Sequence, residues 1–291
     1  MKREEILLRD PFVLVHEGKY YLYGTRSETA FIGEAYGFDV YVSSDLNDWS
    51  GPYEVFHRPE NFFSKKSYWA PEVHLYQERF YMFATFADTK HGLGTAVLVA
   101  DTPMGPFTMW SDGYITPKKD RCLDGTLYIS RDGIPYLVYC HEWRQIHDGS
   151  ICALRLRDDL KVSIGEPTVL FHASQARPYV KKYMLFSYVT DGPFLKRTTD
   201  GKLHMLWSTY TASGYAEVMA HSDTDEITGH WMPDAIPLYG RDGGHGMIFE
   251  NLNGEMNLVL HYPNAIKKEH PRFLPLEYSD GKFVLGERNH G

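Results

Sequence analysis

The chain has 291 residues, 43% hydrophobic and 23% charged, a balance that excludes a disordered, collagen-like or coiled-coil protein. Its formal net charge of −8 comes from 30 Lys and Arg against 38 Asp and Glu, which disfavours a nucleic-acid partner and an anionic substrate. The three cysteines lack the spacing of a zinc site or a disulfide framework, while the aromatic share of 15% with 25 Gly and 16 Pro favours strands and turns.

The first ten residues are too polar to contain the apolar core of a signal peptide. No later segment approaches the length of a membrane span, so no membrane partner is expected. These features predict a cytoplasmic protein, and an export signal already removed from the chain is the alternative.

A unit of two strands joined by a tight polar turn recurs along the chain. Its five copies occupy 12–15 with 20–23, 73–76 with 80–83, 126–129 with 136–139, 194–196 with 204–207, and 247–249 with 256–259. Most of the turns contain Gly, Asn or Asp, which supply the positive φ that a hairpin needs. Five matched pairs of this kind indicate one architecture built by repetition.

Further strands follow most of these pairs. Third strands are predicted at 38–42, 95–99, 150–154 and 215–219, and fourth strands after 51–52, 105–106 and 165–167. Four antiparallel strands repeated at roughly 50–65 residues are typical of a β-propeller. An irregular two-sheet β-sandwich is the alternative, but it does not explain five copies. We therefore predict an all-β fold, a five-bladed β-propeller with four antiparallel strands per blade, as a single domain over 1–291.

The first strand of each propeller blade lines the central channel, so residues near its start meet at one mouth. In the five copies this place is held by Asp10, Ala70, Asp124, Asp191 and His245. In the second copy Glu72 lies two residues later and is expected on the same face by strand alternation. A single Asp before Pro or Gly is an ordinary turn residue, whereas recurrence at one blade position favours a functional site.

Several carboxylates around a neutral ligand are typical of glycosidic bond cleavage. One carboxyl must keep a proton for the leaving oxygen, a second must be ionised to activate water, and a third can tune the acid. Asp10, Asp124 and Asp191 suit these three roles. The aromatic candidates for packing on a sugar face are Phe31, Trp69 and Trp143. Ordinary packing within a blade is the alternative for each ring.

Five short motifs, one per blade, occur in order along almost the whole chain. They are RDPF at 9–12 with GKYYL at 18–22, YWAPEV at 68–73, LDG at 123–125, TDGPF at 190–194 and GGHGM at 243–247. On these motifs the chain resembles glycoside hydrolase family 43, the five-bladed propeller arabinofuranosidases, xylosidases and arabinanases. The resemblance implies a neutral oligosaccharide or polysaccharide substrate and removal of terminal α-L-arabinofuranosyl or β-D-xylosyl residues.

The resemblance also implies inversion at the anomeric carbon, with Asp10 as general base, Asp124 as the residue that raises the pKa of the acid, and Asp191 as the acid. The family usually has Glu where this chain has Asp191. A carboxyl withdrawn by about one ångström can cost on the order of 10²-fold in rate. Three outcomes stay open: Asp191 is the acid, Glu142 or Glu72 supplies the proton, or the propeller binds a sugar without cleaving it.

Two further candidates are His245 and Arg272. His245 matches a family histidine that often lies near a water-coordinated calcium ion, so a structural Ca²⁺ is possible, although the chemistry requires no cofactor. A hydrogen-bonded core histidine is the alternative. Arg272 is a candidate for a sugar hydroxyl, with a surface arginine as its alternative. The predicted substrate-binding residues are therefore Phe31, Trp69, Glu72, Glu142, Trp143 and Arg272.

Two longer inserts, at 27–37 and 172–190, are expected to form walls of the site, the second on the leaving-group side because it leads into Asp191. A phosphorylase would need cationic side chains at the axial places, which are acidic instead. A retaining invertase-like propeller would need a Glu-Cys pair, which the chain lacks.

Overall fold

A computed structural model describes residues 1–89 and 92–286, and within them twenty strands form five four-stranded sheets. The first blade has β1 (Leu8–His16), β2 (Lys19–Arg26), β3 (Gly37–Ser43) and β4 (Trp49–His57). The second has β5 (Lys66–Tyr76), β6 (Arg79–Asp88), β7 (Gly92–Ala100) and β8 (Thr108–Met109). The third has β9 (Cys122–Ile129), β10 (Pro135–His141), β11 (Ser150–Leu156) and β12 (Ser163–His172).

The fourth blade has β13 (Asp191–Arg197), β14 (Leu203–Thr211), β15 (Gly214–Ser222) and β16 (Trp231–Pro233). The fifth has β17 (Gly244–Glu250), β18 (Met256–Tyr262), β19 (His270–Ser279) and β20 (Lys282–Leu285). Within the described residues the helical segments are α1 (Trp143–Ile146) and two 3-10 turns, Arg3–Glu5 and Ala173–Ala176. The predicted all-β, five-bladed propeller is confirmed, whereas residues 90–91 and 287–291 of the predicted domain lie outside the described part.

Each blade is an antiparallel meander in which neighbours in sequence are neighbours in the sheet. The first two strands of each blade are joined by only two or five residues, and such short connections favour pairing of strands that are adjacent in sequence. The inner strand of every blade is the first one, because the first strands of neighbouring blades contact one another around the whole ring. Residues near the start of these strands line one pocket at the channel.

Large apolar side chains fill the space between blades. Phe38 of the first blade packs against Tyr68 of the second, with ring centres 5.6 Å apart, and meets Phe86 of the second blade edge-on at 5.9 Å. Such ring pairs add to the area term that dominates burial. The high aromatic content of the chain is thus explained largely by contacts between sheets.

The N-terminal segment, residues 1–8, joins the last blade to the first, and we call it the N-terminal clasp. Leu8 N–H donates to the carbonyl of Glu269 at 2.9 Å, and the carbonyl of Ile6 lies 2.8 Å from Nδ1 of His270. The clasp closes the ring without sharing a strand between blades. Among the described residues, no helix has the length and apolar character needed to cross a bilayer.

Candidate active site

At one equivalent place, each of the five inner strands has a residue in the left-handed region of φ. These residues, the axial positions, are Asp10 (φ 51°), Ala70 (46°), Asp124 (55°), Gly192 (51°) and His245 (50°). Around each of them the pairing with the second strand shifts register, as in a β-bulge. Such conformations cost about 1–3 kcal/mol for a non-glycine residue and cluster at functional sites.

The residues just before the axial positions form a second set, the preceding positions: Arg9, Trp69, Leu123, Asp191 and Gly244. Asp191 belongs to this second set, and Gly192 occupies the axial place in the fourth blade. The expectation that Asp191 stands at the same blade position as Asp10 and Asp124 is therefore wrong by one residue. The cause is the left-handed bend, which the fourth blade places on its glycine.

The backbone amides of the axial positions are held by the second strand of the preceding blade. The acceptors are Thr25 Oγ1 for Ala70 (2.8 Å), Thr85 Oγ1 for Asp124 (2.8 Å) and Ser208 Oγ for His245 (2.7 Å). The Asp10 amide donates to Nδ1 of His261 at 3.3 Å, so the same kind of bond links the fifth blade to the first. Gly192 departs from it and donates to Asp124 Oδ2 at 3.1 Å. The axial side chains thus depend on the alignment of neighbouring blades.

One pocket at the mouth of the channel brings most of the predicted site residues together. Of these it is lined by Asp10, Phe31, Trp69, Asp124, Glu142, Trp143, Asp191 and His245. Lining residues that sequence reasoning missed include Arg9, Arg144, Tyr183, Tyr210, Tyr215 and Asn264. Residues from all five blades therefore meet at a single site.

Asp10 is a buried carboxylate with polar partners on both oxygens. Thr25 Oγ1 donates to Oδ2 at 2.6 Å, and Nδ1 of His245 lies 3.3 Å from Oδ1. Burial by itself would raise the pKa of Asp10, but the charges of His245 and Arg9 lead the opposing effects and hold the pKa below its ordinary value. Asp10 is therefore ionised at neutral pH, as a general base must be.

The pKa values of Asp124 and Asp191 are raised, in contrast to that of Asp10. Burial raises the pKa of both carboxyls, and repulsion from the other carboxylates adds to it. His245 opposes the shift at both, and the Tyr215 hydroxyl opposes it at Asp191 by donating to Oδ2 at 3.0 Å. These effects do not cancel burial, so the pair holds a proton well above the ordinary carboxyl range. A general acid needs that property.

His245 is a buried ring that faces acidic side chains. Its Nδ1 lies 3.3 Å from Asp10 Oδ1 and 3.8 Å from Asp124 Oδ2. Burial lowers the pKa of a histidine, but these carboxylates and Asp191 outweigh burial and raise the pKa of His245 to about 9. The ring is thus a cation that balances the charge of the carboxylates.

A calcium ion at His245 is the metal that the family resemblance implies. Ca²⁺ takes about six to eight oxygen ligands, and within the described residues no three His, Cys, Asp or Glu side chains are arranged to hold a metal. A positively charged ring also repels a cation. The donors do not fit a directly bound ion, and an ion held through water alone stays a prediction.

Glu217, on β15, is a fully buried acid that sequence reasoning missed. Its Oε1 accepts from Ser208 Oγ and its Oε2 from the N–H of Gly246, both at 2.9 Å. Burial raises the pKa of Glu217 to about 8. The carboxyl therefore fixes the backbone on both sides of His245, since Ser208 also holds the His245 amide. The available signal was one acid within the apolar run 215–220.

Arg9 lines the pocket although it precedes Asp10, because the bulge breaks simple alternation of side chains. Its Nη1 lies 2.5 Å from Oε1 of the buried Glu269, and its Nη2 donates to Asn264 Oδ1 at 3.1 Å. The guanidinium also lies 5.0 Å from the centre of the Phe31 ring. A fixed cation with free donor capacity suits recognition of a sugar hydroxyl.

Aromatic side chains form two walls of the pocket. On one side Phe31 and Trp69 have ring centres 5.7 Å apart, and on the other Trp143 meets Tyr183 edge-on at 5.4 Å. Phe31 and Tyr183 come from the two inserts that the sequence predicts as walls. Rings on both sides can pack on the faces of a sugar.

The two alternative acids lie in different places. Glu142 is buried and lines the pocket, and its carboxylate is bonded to the guanidinium of Arg121. Glu72 does not line the pocket, and its Oε2 lies 3.1 Å from His74 Nε2. The register of β5 shifts between Trp69 and Glu72, so alternation from the axial position fails.

Arg272, a predicted substrate-binding residue, is not among the residues that line this pocket. It belongs to β19, the third strand of its blade, whereas the first strand faces the channel. Its Nη1 donates to Tyr239 Oη at 3.1 Å, and its guanidinium lies 4.9 Å from the Tyr262 ring centre. Arg272 is half-buried between these two rings rather than fully exposed at the surface.

Comparison with known proteins gives a consistent result. The family model for glycosyl hydrolases family 43 matches residues 5–283. The chain is 38% identical to a solved endo-arabinase from Bacteroides thetaiotaomicron VPI-5482, with a TM-score of 0.89 over 97% of this chain and 99% of that one. No curated protein matches the chain.

More distant solved structures share the fold. They include an endo-1,4-beta-xylanase from Bacteroides thetaiotaomicron VPI-5482, 24% identical with a TM-score of 0.78 over 98% of this chain and 96% of that one. An alpha-L-arabinofuranosidase from Lactobacillus brevis is 18% identical, with a TM-score of 0.75 over 98% and 94%.

Proposed function

Because the chain belongs to glycosyl hydrolases family 43, we propose that it removes terminal α-L-arabinofuranosyl or β-D-xylosyl residues from oligosaccharides or polysaccharides, with inversion. The observation that carries the proposal is the pair of carboxyls with opposite pKa shifts in one pocket, Asp10 lowered and Asp191 raised. Two such environments supply the base and the acid that glycoside hydrolysis needs. Similarity to an endo-arabinase favours the arabinofuranosyl linkage of the two.

The reaction is a single displacement. Asp10 takes a proton from a water molecule as the water oxygen bonds to the anomeric carbon, and the bond from that carbon to the leaving oxygen breaks. Asp191 gives its carboxyl proton to the leaving oxygen. Proton exchange with solvent then returns Asp10 to its ionised state and Asp191 to its protonated state.

The neighbours of these two carboxyls keep each in the required state. His245 is the positive partner of Asp10, and Arg9 adds to it. Asp124 repels a negative charge on its neighbours, and it fixes the backbone beside the acid by accepting from Gly192 N–H. Tyr215 orients Asp191 through its hydroxyl, which supports an aspartate in a place where the family usually has glutamate.

A panel of glycosides tests the proposal. Wild-type protein and the variants Asp10→Asn and Asp191→Asn are assayed on methyl and 2,4-dinitrophenyl α-L-arabinofuranosides and β-D-xylosides, with the product anomer followed by NMR. We expect Asp10→Asn to lower the rate on both leaving groups by about 10²–10⁴-fold. Asp191→Asn should slow the methyl glycosides far more than the dinitrophenyl ones, which need no proton.

The same panel separates catalysis from simple sugar binding. Wild-type protein that binds arabinose or xylose but hydrolyses no glycoside would overturn the enzyme proposal and favour a carbohydrate-binding propeller. An unchanged rate in Asp10→Asn would remove the assigned base. Retention of configuration in the first product would exclude the single displacement.

A further inference from the structure

The wall that contains Tyr183 ends in an exposed apolar turn. Phe186 N–H donates to the carbonyl of Tyr183 at 3.2 Å, and the two residues between them have left-handed φ, 49° for Met184 and 68° for Leu185. A turn with both central residues in this region is ordinarily built from Asn and Gly. Here it displays Met184, Leu185 and Phe186, which are 66%, 83% and 71% exposed.

This apolar turn is continuous with the active-site pocket. Tyr183, its first residue, lines the pocket and packs on Trp143 and on Tyr210, whose ring is 4.5 Å away and nearly parallel. Toward the first blade, Phe31 also lines the pocket and is 53% exposed, and the adjacent Ile32 is 64% exposed. Exposed apolar side chains therefore adjoin the lining of the pocket at two places, next to Tyr183 and next to Phe31.

The polar groups that suit a sugar lie deeper in the same pocket. Asp10, Asp191, Arg9 and Asn264 are grouped there, whereas the two exposed tips offer no charged side chain of their own. Large exposed apolar groups beside a binding site indicate an apolar ligand. A stable dimer buries about 800 Å² of each partner, and two small, separate tips on different blades do not suit that role.

We propose that the turn 183–187, with Phe31 and Ile32, forms a subsite for the leaving group, and that the preferred substrate is a glycoside whose leaving group carries an aryl or alkyl substituent. This inference rests on the proposed glycosidase function. The terminal sugar enters the polar part of the pocket, and the substituent packs against the apolar tips.

A series of alkyl glycosides tests this subsite, because methyl, propyl and hexyl leaving groups have similar reactivity and differ mainly in apolar area. For the sugar that the panel identifies, KM should fall from methyl to hexyl by about 10-fold as methylene groups are buried. Binding of the same compounds is also followed by the fluorescence of Trp69 and Trp143 in the pocket, which requires no turnover.

The matched variants keep the turn and change its surface. Met184→Asn with Leu185→Gly suits the left-handed turn and removes two apolar side chains. This double variant should lose most of the hexyl preference while its KM for the methyl glycoside stays within about 2-fold. The control is Ile236→Ser, which removes a 76% exposed side chain that does not line the pocket.

The outcomes distinguish this inference from the function on which it rests. Hydrolysis with a KM independent of alkyl length would overturn the subsite and leave the glycosidase. Absence of hydrolysis would overturn the glycosidase, and equal binding of methyl and hexyl glycosides would then overturn the subsite as well. A wild-type dimer that the double variant abolishes in sedimentation would assign the apolar tips to a second copy instead.

Discussion

Asp10 and Asp191 differ in pKa because their neighbours differ. At Asp10, burial is outweighed by His245, Arg9 and the hydroxyl of Thr25, which favour the ionised form. At Asp191, His245 and the hydrogen bond from Tyr215 also oppose burial, but burial outweighs them. In the proposed mechanism, the division into base and acid thus follows from surroundings rather than from residue type.

These shifts predict a bell-shaped dependence of kcat/KM on pH. The rate should fall as the pH drops through the lowered pKa of Asp10, which must be ionised, and fall again as the pH rises through the raised pKa of Asp191, which must be protonated. Asp124→Asn removes a repelling charge, lowers the pKa of the acid and should move the alkaline limb down by on the order of one pH unit. Initial rates across pH measure both limbs.

A second variant should shift the alkaline limb of the pH profile in the opposite direction. Tyr215→Phe removes a hydrogen bond that favours the charged form of Asp191, so the alkaline limb should move to higher pH. Shifts of both variants in one direction would contradict the assignment of that limb to Asp191.

Buried Glu217 makes a separate prediction for stability. Its pKa is raised to about 8 in the folded protein, so the unfolded state loses this proton first, and the free energy of unfolding falls as pH rises between its ordinary value of 4.5 and about 8. Glu217→Gln, which cannot ionise, should remove this component, on the order of a few kcal/mol. Urea unfolding of both proteins at pH 5 and pH 8 measures the difference, and equal pH dependence in the two would contradict a protonated Glu217.

At the scale of elements, the bend in the first and third inner strands turns two adjacent residues toward the pocket. Arg9 with Asp10 and Leu123 with Asp124 both line it, which a regular strand would not allow. The bend thereby doubles the number of side chains that one strand contributes to the site.

The axial conformation predicts opposite effects for two small substitutions. Ala70→Gly relieves left-handed backbone strain and should raise the free energy of unfolding by up to about 1 kcal/mol. Gly192→Ala adds a Cβ that would lie 2.6 Å from the His245 ring. This contact should lower the free energy of unfolding by about 1–3 kcal/mol. Urea unfolding measures both, and a neutral Gly192→Ala would show that His245 has room to move.

At the scale of the whole molecule, ring closure depends on the N-terminal clasp. Its Ile6 is 1% exposed, and its neighbour Leu7 is 41% exposed. The clasp contacts the fifth blade through Glu269 and His270, and Glu269 also anchors Arg9. Closure of the ring and the shape of the pocket are therefore connected.

Ile6→Ala should lower the free energy of unfolding by about 2–5 kcal/mol, because it leaves a cavity at the ring junction. Leu7→Ala is the matched control and should change it by less than about 1 kcal/mol. Thermal and urea unfolding measure both, and equal effects would show that the clasp does not secure the ring.

Repetition made the architecture and several site positions accessible from the sequence. The hairpin units located the blades, and the placing of Asp10, Asp124 and His245 at the channel followed from them. The local register around each bulge was not accessible, because alternation assumes a regular strand, and this explains the misplacement of Asp191 and Glu72.

Other features left a weaker signal in the sequence. Strand β19 contains Pro271 and Pro275, which argue against a strand, and it was not predicted. Arg272 lies on that strand, so its position relative to the pocket could not be predicted either. Glu217 acts through hydrogen bonds between three strands, a relationship that no local pattern contains.

The hydroxyl-to-amide bonds between blades determine what can be exchanged between propellers of this kind. A single blade transplanted by recombination would bring an axial residue without the Thr or Ser that orients its backbone. The smallest transferable module instead runs from the second strand of one blade through the first strand of the next. Chimeras joined at the blade boundaries should fold but lose the alignment of their reactive groups. Chimeras joined between the first and second strands of a blade should keep that alignment.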